Sequence, residues 1–342
     1  MAVRTALGRA ELEAALAPFG LGALRAFAGL AAGSINTNYV VDTARGRFFV
    51  RLFEDKSADD VAYELALLVH LGARGVPVVV PLAAADGARC TACAGRALAV
   101  FPFVDGVESG GDDGETPPGA ARARRLGEAL ARLHVAGADF PRRRAGAYTR
   151  ARVAERLPAL RAAAARDPDV AAALTDVEDE HAFLAVRLDA LALPEGVIHG
   201  DLFPDNVLWR AAPGGGAGED ILALLDFEMA ATGPFVRDLA TLQLSWCFDA
   251  ARGALAEADM AAMAAAYGAV RPLEPRERVP GLWLWSRFVA WRYTVSRLTD
   301  FHLSPLPPDR LRRKDFRRYL ARLRALRALD ANAWAARAAP AG

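Results

Sequence analysis

Apolar residues recur along this chain with two periods, one of strands and one of helices. Residues 11–18 carry a short helical pattern. Tyr39-Val40-Val41 and residues 47–53 read as two strands joined near Ala44-Arg45-Gly46, a hairpin preceded by a turn of small residues. Residues 57–71 then form a helix with a visible start, because Ser57 can cap it and Asp59 and Asp60 fall in its first turn. Its apolar stripe is Val61, Leu65 and Leu68, and Glu64 falls inside that stripe. A carboxylate on a buried face needs a cation. Arg51, between Val50 and Leu52 on the preceding strand, is the nearest candidate. Residues 76–81 and 98–104 read as further strands.

The pattern changes after residue 108. Residues 108–119 are dense in Gly, Asp and Pro, and helical periodicity dominates beyond them. The predicted helices span 120–135, closed by Gly137, and the alanine-rich 151–187, broken at Pro158 and Pro168. Others cover 237–248, 254–267, 281–299 and 309–329. Residues 207–209 and 221–225 read as short strands around a turn-rich loop at 213–218. An α+β chain is expected, with a β-rich N-lobe over residues 1–104 and a larger, mainly helical C-lobe over 105–342.

Bulk composition narrows the classes. A length of 342 residues suits two lobes that each bury a core. Net charge is +1, so the whole molecule is not an electrostatic nucleic-acid binder. Three cysteines argue against a disulfide scaffold and fit a reducing cytoplasm. Cys90 and Cys93 form a Cys-x-x-Cys without a second ligand pair, in a hairpin rather than at a helix start, so neither a zinc nor a redox site is expected. The first 20 residues include acidic ones and no long apolar core, unlike a signal peptide. No apolar run approaches the roughly 18 residues of a membrane helix, and the aromatic stretch 283–295 is interrupted by Arg287 and Arg292. A cytoplasmic protein with no membrane partner is expected.

The chemistry concentrates in two short stretches. His199-Gly200-Asp201-Leu202-Phe203-Pro204-Asp205-Asn206 has the form His-x-Asp-x-x-x-x-Asn, and Asp226-Phe227-Glu228 follows. In kinase-type phosphoryl transfer an Asp so placed accepts the substrate hydroxyl proton, while the Asn and the second Asp hold magnesium on the ATP phosphates. If the strands at 207–209 and 221–225 pair as a hairpin, Asn206 and Asp226 sit at one open end, two hard oxygen ligands side by side. Arg51 with Glu64 matches the strand–helix ion pair that positions ATP phosphates. The adenine is expected against the backbone of Phe101-Pro102-Phe103. The loop containing Ser34 and Asn36 can bring backbone N–H groups to phosphates, although alone it reads as an ordinary turn. His134, on its helix, reads as a packed or capping histidine rather than a catalyst.

These residues resemble the aminoglycoside phosphotransferase-like kinases and, within them, the type II homoserine kinases. The likeness runs through residues 33–39, 131–141, 197–206, 238–240 leading to 246–248, and 297–300 with 314–316. It implies a protein-kinase-like fold and an ATP- and magnesium-dependent enzyme acting on the side-chain hydroxyl of L-homoserine. By match, Asp201 is the catalytic base, Asn206 and Asp226 are magnesium ligands, and His199 and Asp238 are supporting residues. Two departures stand out: Arg51 replaces the usual Lys, and Glu228 replaces the Gly after Asp-Phe. A planar guanidinium can clamp phosphate differently from an ammonium.

Other readings keep the same fold. An aminoglycoside, choline or sugar could be the acceptor, and Arg51 alone suggests a nucleotide-binding pseudokinase. From Gly281 onward there are 13 Arg or Lys against four Asp, which suits an anionic acceptor better than a polycation. On the plainer reading these arginines line a solvated helix face. An RNA-binding role for Arg310, Arg312, Arg313, Lys314, Arg317 and Arg318 finds a poor stacking platform in Phe316 and Tyr319.

Overall fold

Strand and helix formers separate along the chain, and the computed structural model shows where each goes. It describes residues 4–30, 36–109, 116–304 and 314–339. The chain forms two compact units, Met1–Gly106 with Leu222–Leu225, and Val107–Ile221 with Asp226–Gly342.

The first unit is built on a five-stranded antiparallel sheet. Its strands are β1 (Leu24–Gly29), β2 (Thr37–Thr43), β3 (Gly46–Leu52), β4 (Thr91–Cys93) and β5 (Arg96–Pro102), in the order β1-β2-β3-β5-β4. Helix α1 (Arg9–Leu16) precedes the sheet, and α2 (Ala58–Ala73) follows β3. Ser57 caps α2 by accepting the Asp60 N–H at 3.1 Å. The core gathers Leu12, Leu16, Tyr39, Val41, Val50, Leu52, Leu98 and Val100.

One strand was not expected from the sequence, and one expected strand is absent. Strand β1 carries no clean alternation, since only Leu24 is buried and Phe27 half-buried, so sequence pattern did not reveal it. Residues 76–81 are not a strand. Pro77 and Pro81 lack the N–H that a ladder needs. Val78 instead makes an isolated parallel bridge with Leu224, and the Leu224 N–H donates to the Pro77 carbonyl at 2.7 Å. That pairing ties residues 222–225 to the first unit.

Cys90 and Cys93 are free thiols beside the β4–β5 turn, where Ala94 and Gly95 both take positive φ. Burial pushes both thiols up, away from the reactive thiolate.

The second unit is mostly helical. Its elements begin with β6 (Val107–Glu108), α3 (Ala120–Ala136), α4 (Arg150–Ala154), α5 (Leu157–Ala164) and α6 (Pro168–Arg187). Pro158 and Pro168 lie in the first turns of α5 and α6, where a missing N–H is harmless. Strands β7 (Glu195–Ile198), β8 (Val207–Ala211), β9 (Ala217–Leu224) and β10 (Ala231–Pro234) frame the central loops. Helix α7 (Phe235–Trp246) follows, then a small pair, β11 (Phe248–Asp249) and β12 (Ala254–Leu255). Helices α8 (Glu257–Val270), α9 (Leu282–Arg297), α10 (Phe316–Arg327) and α11 (Ala331–Ala338) complete it.

The basic residues of α10 are not a bare solvated face. Arg324 and Arg327 pair with Asp176 on α6, at 2.7 and 2.6 Å, and Arg317 pairs with Asp169. Arg322 is buried between the rings of Phe248 and Tyr319. Arg310, Arg312 and Arg313 lie outside the described residues, and no helix among those described is long and apolar enough to cross a membrane.

Candidate active site

The loop around Asp201 starts where β7 ends. Strand β7 pairs antiparallel with β10, with Ile198 opposite Ala231. The chain turns sharply at Gly200, whose φ is +81°. A Cβ there would sit 2.8 Å from the Met229 carbonyl oxygen, so the turn demands glycine.

The backbone N–H groups leaving β7 are held from below by Asp238, in the first turn of α7. Its carboxylate accepts the His199 N–H at 2.5 Å and the Gly200 N–H at 2.8 Å. A third contact comes from His134 Nε2 at 3.2 Å. Asp238 is fully buried, and burial alone would raise its pKa. The contacts with His134, His199 and Gly200 outweigh burial and hold it below the usual carboxylate range. Burial also pushes His134 down, more than Asp238 pulls it up, so the imidazole is neutral. A neutral imidazole that donates from Nε2 to Asp238 accepts at Nδ1. The Tyr267 hydroxyl, kept protonated mainly by burial, donates there at 2.7 Å. Arg271 donates to the Tyr267 oxygen at 3.2 Å and to Glu277 at 2.9 Å. His134 is thus a packed histidine, as expected from sequence, and it supports the loop through Asp238.

The loop also folds upon itself. The Asp201 N–H donates to His199 Nδ1 at 3.3 Å, and the His199 ring packs 4.6 Å from that of Phe227. Asn206 donates its Nδ2 to the Asp201 carbonyl at 2.8 Å, which leaves the Asn206 Oδ1 as the amide's acceptor atom. Asn206 immediately precedes β8, and Asp226 lies two residues past β9, the neighbouring strand. Both therefore flank the same end of that pair. Asp226 takes φ +60° and ψ +64°, a left-handed conformation that few non-glycine residues adopt. Arg144 steadies the chain beyond it, donating to the carbonyls of Glu228 at 2.9 Å and Ala230 at 2.8 Å.

The Asp201 carboxylate itself meets a residue that sequence reading passed over. The Tyr293 hydroxyl, on α9, donates to Asp201 Oδ1 at 2.5 Å. Burial pushes the Tyr293 phenol well up, and Asp201 pushes it the same way, so it stays a donor. Tyr293 is 92 residues from Asp201 and sits in an aromatic-rich helix, so no local signal marked it. Arg292 Nη1 lies 3.9 Å from the same carboxylate oxygen.

The remaining candidates lie in the first unit. Arg51 and Asn38 face each other across β3 and β2, and Arg51 Nη1 contacts Glu64 Oε1 at 3.4 Å. Glu64 is 1% exposed, so the cation it needs on the apolar face is Arg51. Asn36 is buried and accepts the Glu54 N–H at 3.3 Å, a contact internal to this unit. Phe101 packs edge-on against Phe49 within the sheet, while Phe103 is 38% exposed beneath the Arg47 guanidinium. Ser34 lies outside the described residues.

Comparison with known proteins places this arrangement. A homoserine kinase of Xanthobacter autotrophicus is 36% identical over 334 residues, covering 96% of this chain and 97% of the relative. A homoserine kinase of Bradyrhizobium diazoefficiens is 36% identical over 332 residues, covering 95% and 94%. Among solved structures, a spectinomycin phosphotransferase bound to ADP and spectinomycin has a TM-score of 0.69 at 14% identity, covering 95% of this chain and all of that one. An amicoumacin kinase has a TM-score of 0.65 at 18% identity, covering 88% and 90%. The fold is that of these protein-kinase-like phosphotransferases. Residues 26–273 match the phosphotransferase enzyme family, and the chain belongs to it.

Proposed function

We propose that this protein is a cytoplasmic kinase that transfers the terminal phosphoryl group of ATP, with magnesium, to the side-chain hydroxyl of L-homoserine. The product is O-phospho-L-homoserine, a precursor of threonine. The observation that carries this reading is full-length identity of 36% to proteins named homoserine kinase.

Asp201 is the base. It accepts the hydroxyl proton as the oxygen attacks phosphorus, and the bond from phosphorus to the ADP oxygen breaks. Tyr293 is a positioning residue. Its donated hydrogen bond fixes one carboxylate oxygen and leaves the other for the acceptor hydroxyl. Asp238 and His134 fix the backbone on which Asp201 stands.

Asn206 Oδ1 and the Asp226 carboxylate would hold magnesium. Both are hard oxygen donors at one end of the β8–β9 pair, and the Asn206 amide is already oriented by its bond to the Asp201 carbonyl. The ion supplies charge neutralisation on the phosphates. In the first unit, Arg51, held by Glu64, would clamp the α- and β-phosphates. Ser34 and Asn36 would place their loop near the phosphates, and Phe101 and Phe103 would line the adenine.

A panel of alcohols assayed for ADP release tests the acceptor. L-homoserine should support turnover, whereas L-serine, one methylene shorter, should misplace its hydroxyl and fail. Release with kanamycin or choline but not with L-homoserine would overturn the acceptor while keeping the kinase.

A further inference from the structure

Arginines inside the second unit can meet buried carboxylates. Arg287 makes a forked pair with Glu180, at 2.7 and 2.5 Å, and Arg271 pairs with Glu277. Arg237 and Arg292 do not follow this pattern. Arg237, next to Asp238 in the first turn of α7, is 9% exposed. Among the described residues no carboxylate forms a salt bridge with it. Its guanidinium rests 5.7 Å from the Phe288 ring, and its Nη1 lies close to Gly146, where a Cβ would approach to 3.2 Å.

Arg292, on α9, is 5% exposed and lies 3.8 Å from each of the Tyr148 and Tyr293 ring centroids. Its Nε is buried without a hydrogen-bond partner, and Asp201 stands off at 3.9 Å, beyond hydrogen-bond length. Phe288, on which Arg237 rests, lies one helical turn before Arg292 on α9, so the two cations share one side of that helix. Burial lowers Arg237, and the Arg292 charge lowers it further, against the opposing pull of Asp238 and Asp201. Arg292, out of water with its Nε unbonded, and Arg237, buried without a carboxylate salt bridge, make a site for an anion.

We propose that Arg237 and Arg292 bind the α-carboxylate of an amino-acid acceptor whose hydroxyl faces Asp201. This rests on the amino-acid acceptor proposed above and assigns that acceptor's anionic group. In homoserine the hydroxyl oxygen and the carboxylate are separated by three carbons, roughly 5 Å end to end. An acceptor hydroxyl on Asp201 therefore leaves its carboxylate within the neighbourhood of Arg292, which lies 3.9 Å from Asp201. A polycationic acceptor would meet like charge here.

The test compares L-homoserine with 3-amino-1-propanol, which keeps the hydroxyl and ammonium and lacks the carboxylate. Wild type should prefer L-homoserine in kcat/KM by about 10²-fold, the worth of charge-assisted hydrogen bonds. Arg237→Met should lose most of that preference, through a fall on L-homoserine that 3-amino-1-propanol largely escapes. Equal falls on both substrates, with L-homoserine still turned over by wild type, would overturn the subsite alone. Wild-type turnover of cationic or neutral alcohols in place of L-homoserine would overturn the subsite and the acceptor together. If Arg237→Met does not fold, calorimetry on wild type decides. L-homoserine must bind far more tightly than its neutral amide, and equal affinities refute the subsite.

Discussion

Replacing Asp238 by Asn tests the support beneath the loop that carries Asp201. The change keeps shape and removes the buried charge that accepts from His199 N–H, Gly200 N–H and His134 Nε2. An amide offers one acceptor oxygen and an NH₂ group that donates, so at least one loop N–H faces a donor. A hydrogen bond to a charged group contributes about 1.5–3 kcal/mol, and a buried donor left unmet costs about 1–3 kcal/mol. Losing one such bond and stranding one donor therefore destabilises by about 3–5 kcal/mol. With an unfolding entropy of about 2.1 cal/mol/K per residue, 342 residues give about 0.7 kcal/mol/K. The melting temperature should fall by about 4–7 °C, read by thermal unfolding at neutral pH. Turnover should fall further than MgATP affinity, because the loop carrying Asp201 loses its anchor. An unchanged melting temperature together with unchanged kcat would refute the anchoring role.

Three more perturbations follow from the same contacts. Tyr293→Phe should lower kcat by about 10-fold with little change in MgATP affinity, since one charged hydrogen bond to Asp201 is lost; steady-state kinetics reads the split. Arg51→Met should raise the KM for ATP and lower stability, because buried Glu64 loses its cation, whereas Arg51→Lys should be tolerated far better. The pKa of His134 is depressed on folding, so the unfolded state binds the proton more tightly. Stability should therefore be full above the ordinary value of 6.5 and decline as pH falls through that value towards the folded pKa. His134→Gln should flatten the decline, measured as melting temperature between about pH 7 and 5; an unchanged slope would count against a neutral buried imidazole.

The loop proposed to carry the base could be singled out in the sequence because its pattern is local. His199, Asp201 and Asn206 fall within eight residues, and Asp226 is tied to them by two short strands. Glu64 and Arg51 were legible for a different reason: a carboxylate in an apolar stripe calls for a cation, and the neighbouring strand offered one. Contacts across long sequence separations left no comparable mark. Asp238 reaches the loop from 38 and 39 residues away, and only resemblance singled it out. Tyr293 and Arg292 sit among core aromatics on α9, where polar roles are masked by packing. Arg144 holds carbonyls more than 80 residues away, a role with no residue-type signal. The arginines of α10 looked solvated because their partners on α6 are some 150 residues distant.

The central claim is that Asp201 takes the proton of an L-homoserine hydroxyl during phosphoryl transfer. Single-turnover transfer from radiolabelled ATP to L-homoserine, with MgATP affinity measured in parallel, tests it most directly. Wild type should label L-homoserine. Asp201→Asn should bind MgATP as tightly and transfer about 10²–10⁴-fold more slowly, the usual worth of a positioned general base. Transfer by Asp201→Asn at the wild-type rate, or no labelling of L-homoserine by wild type, would contradict the account.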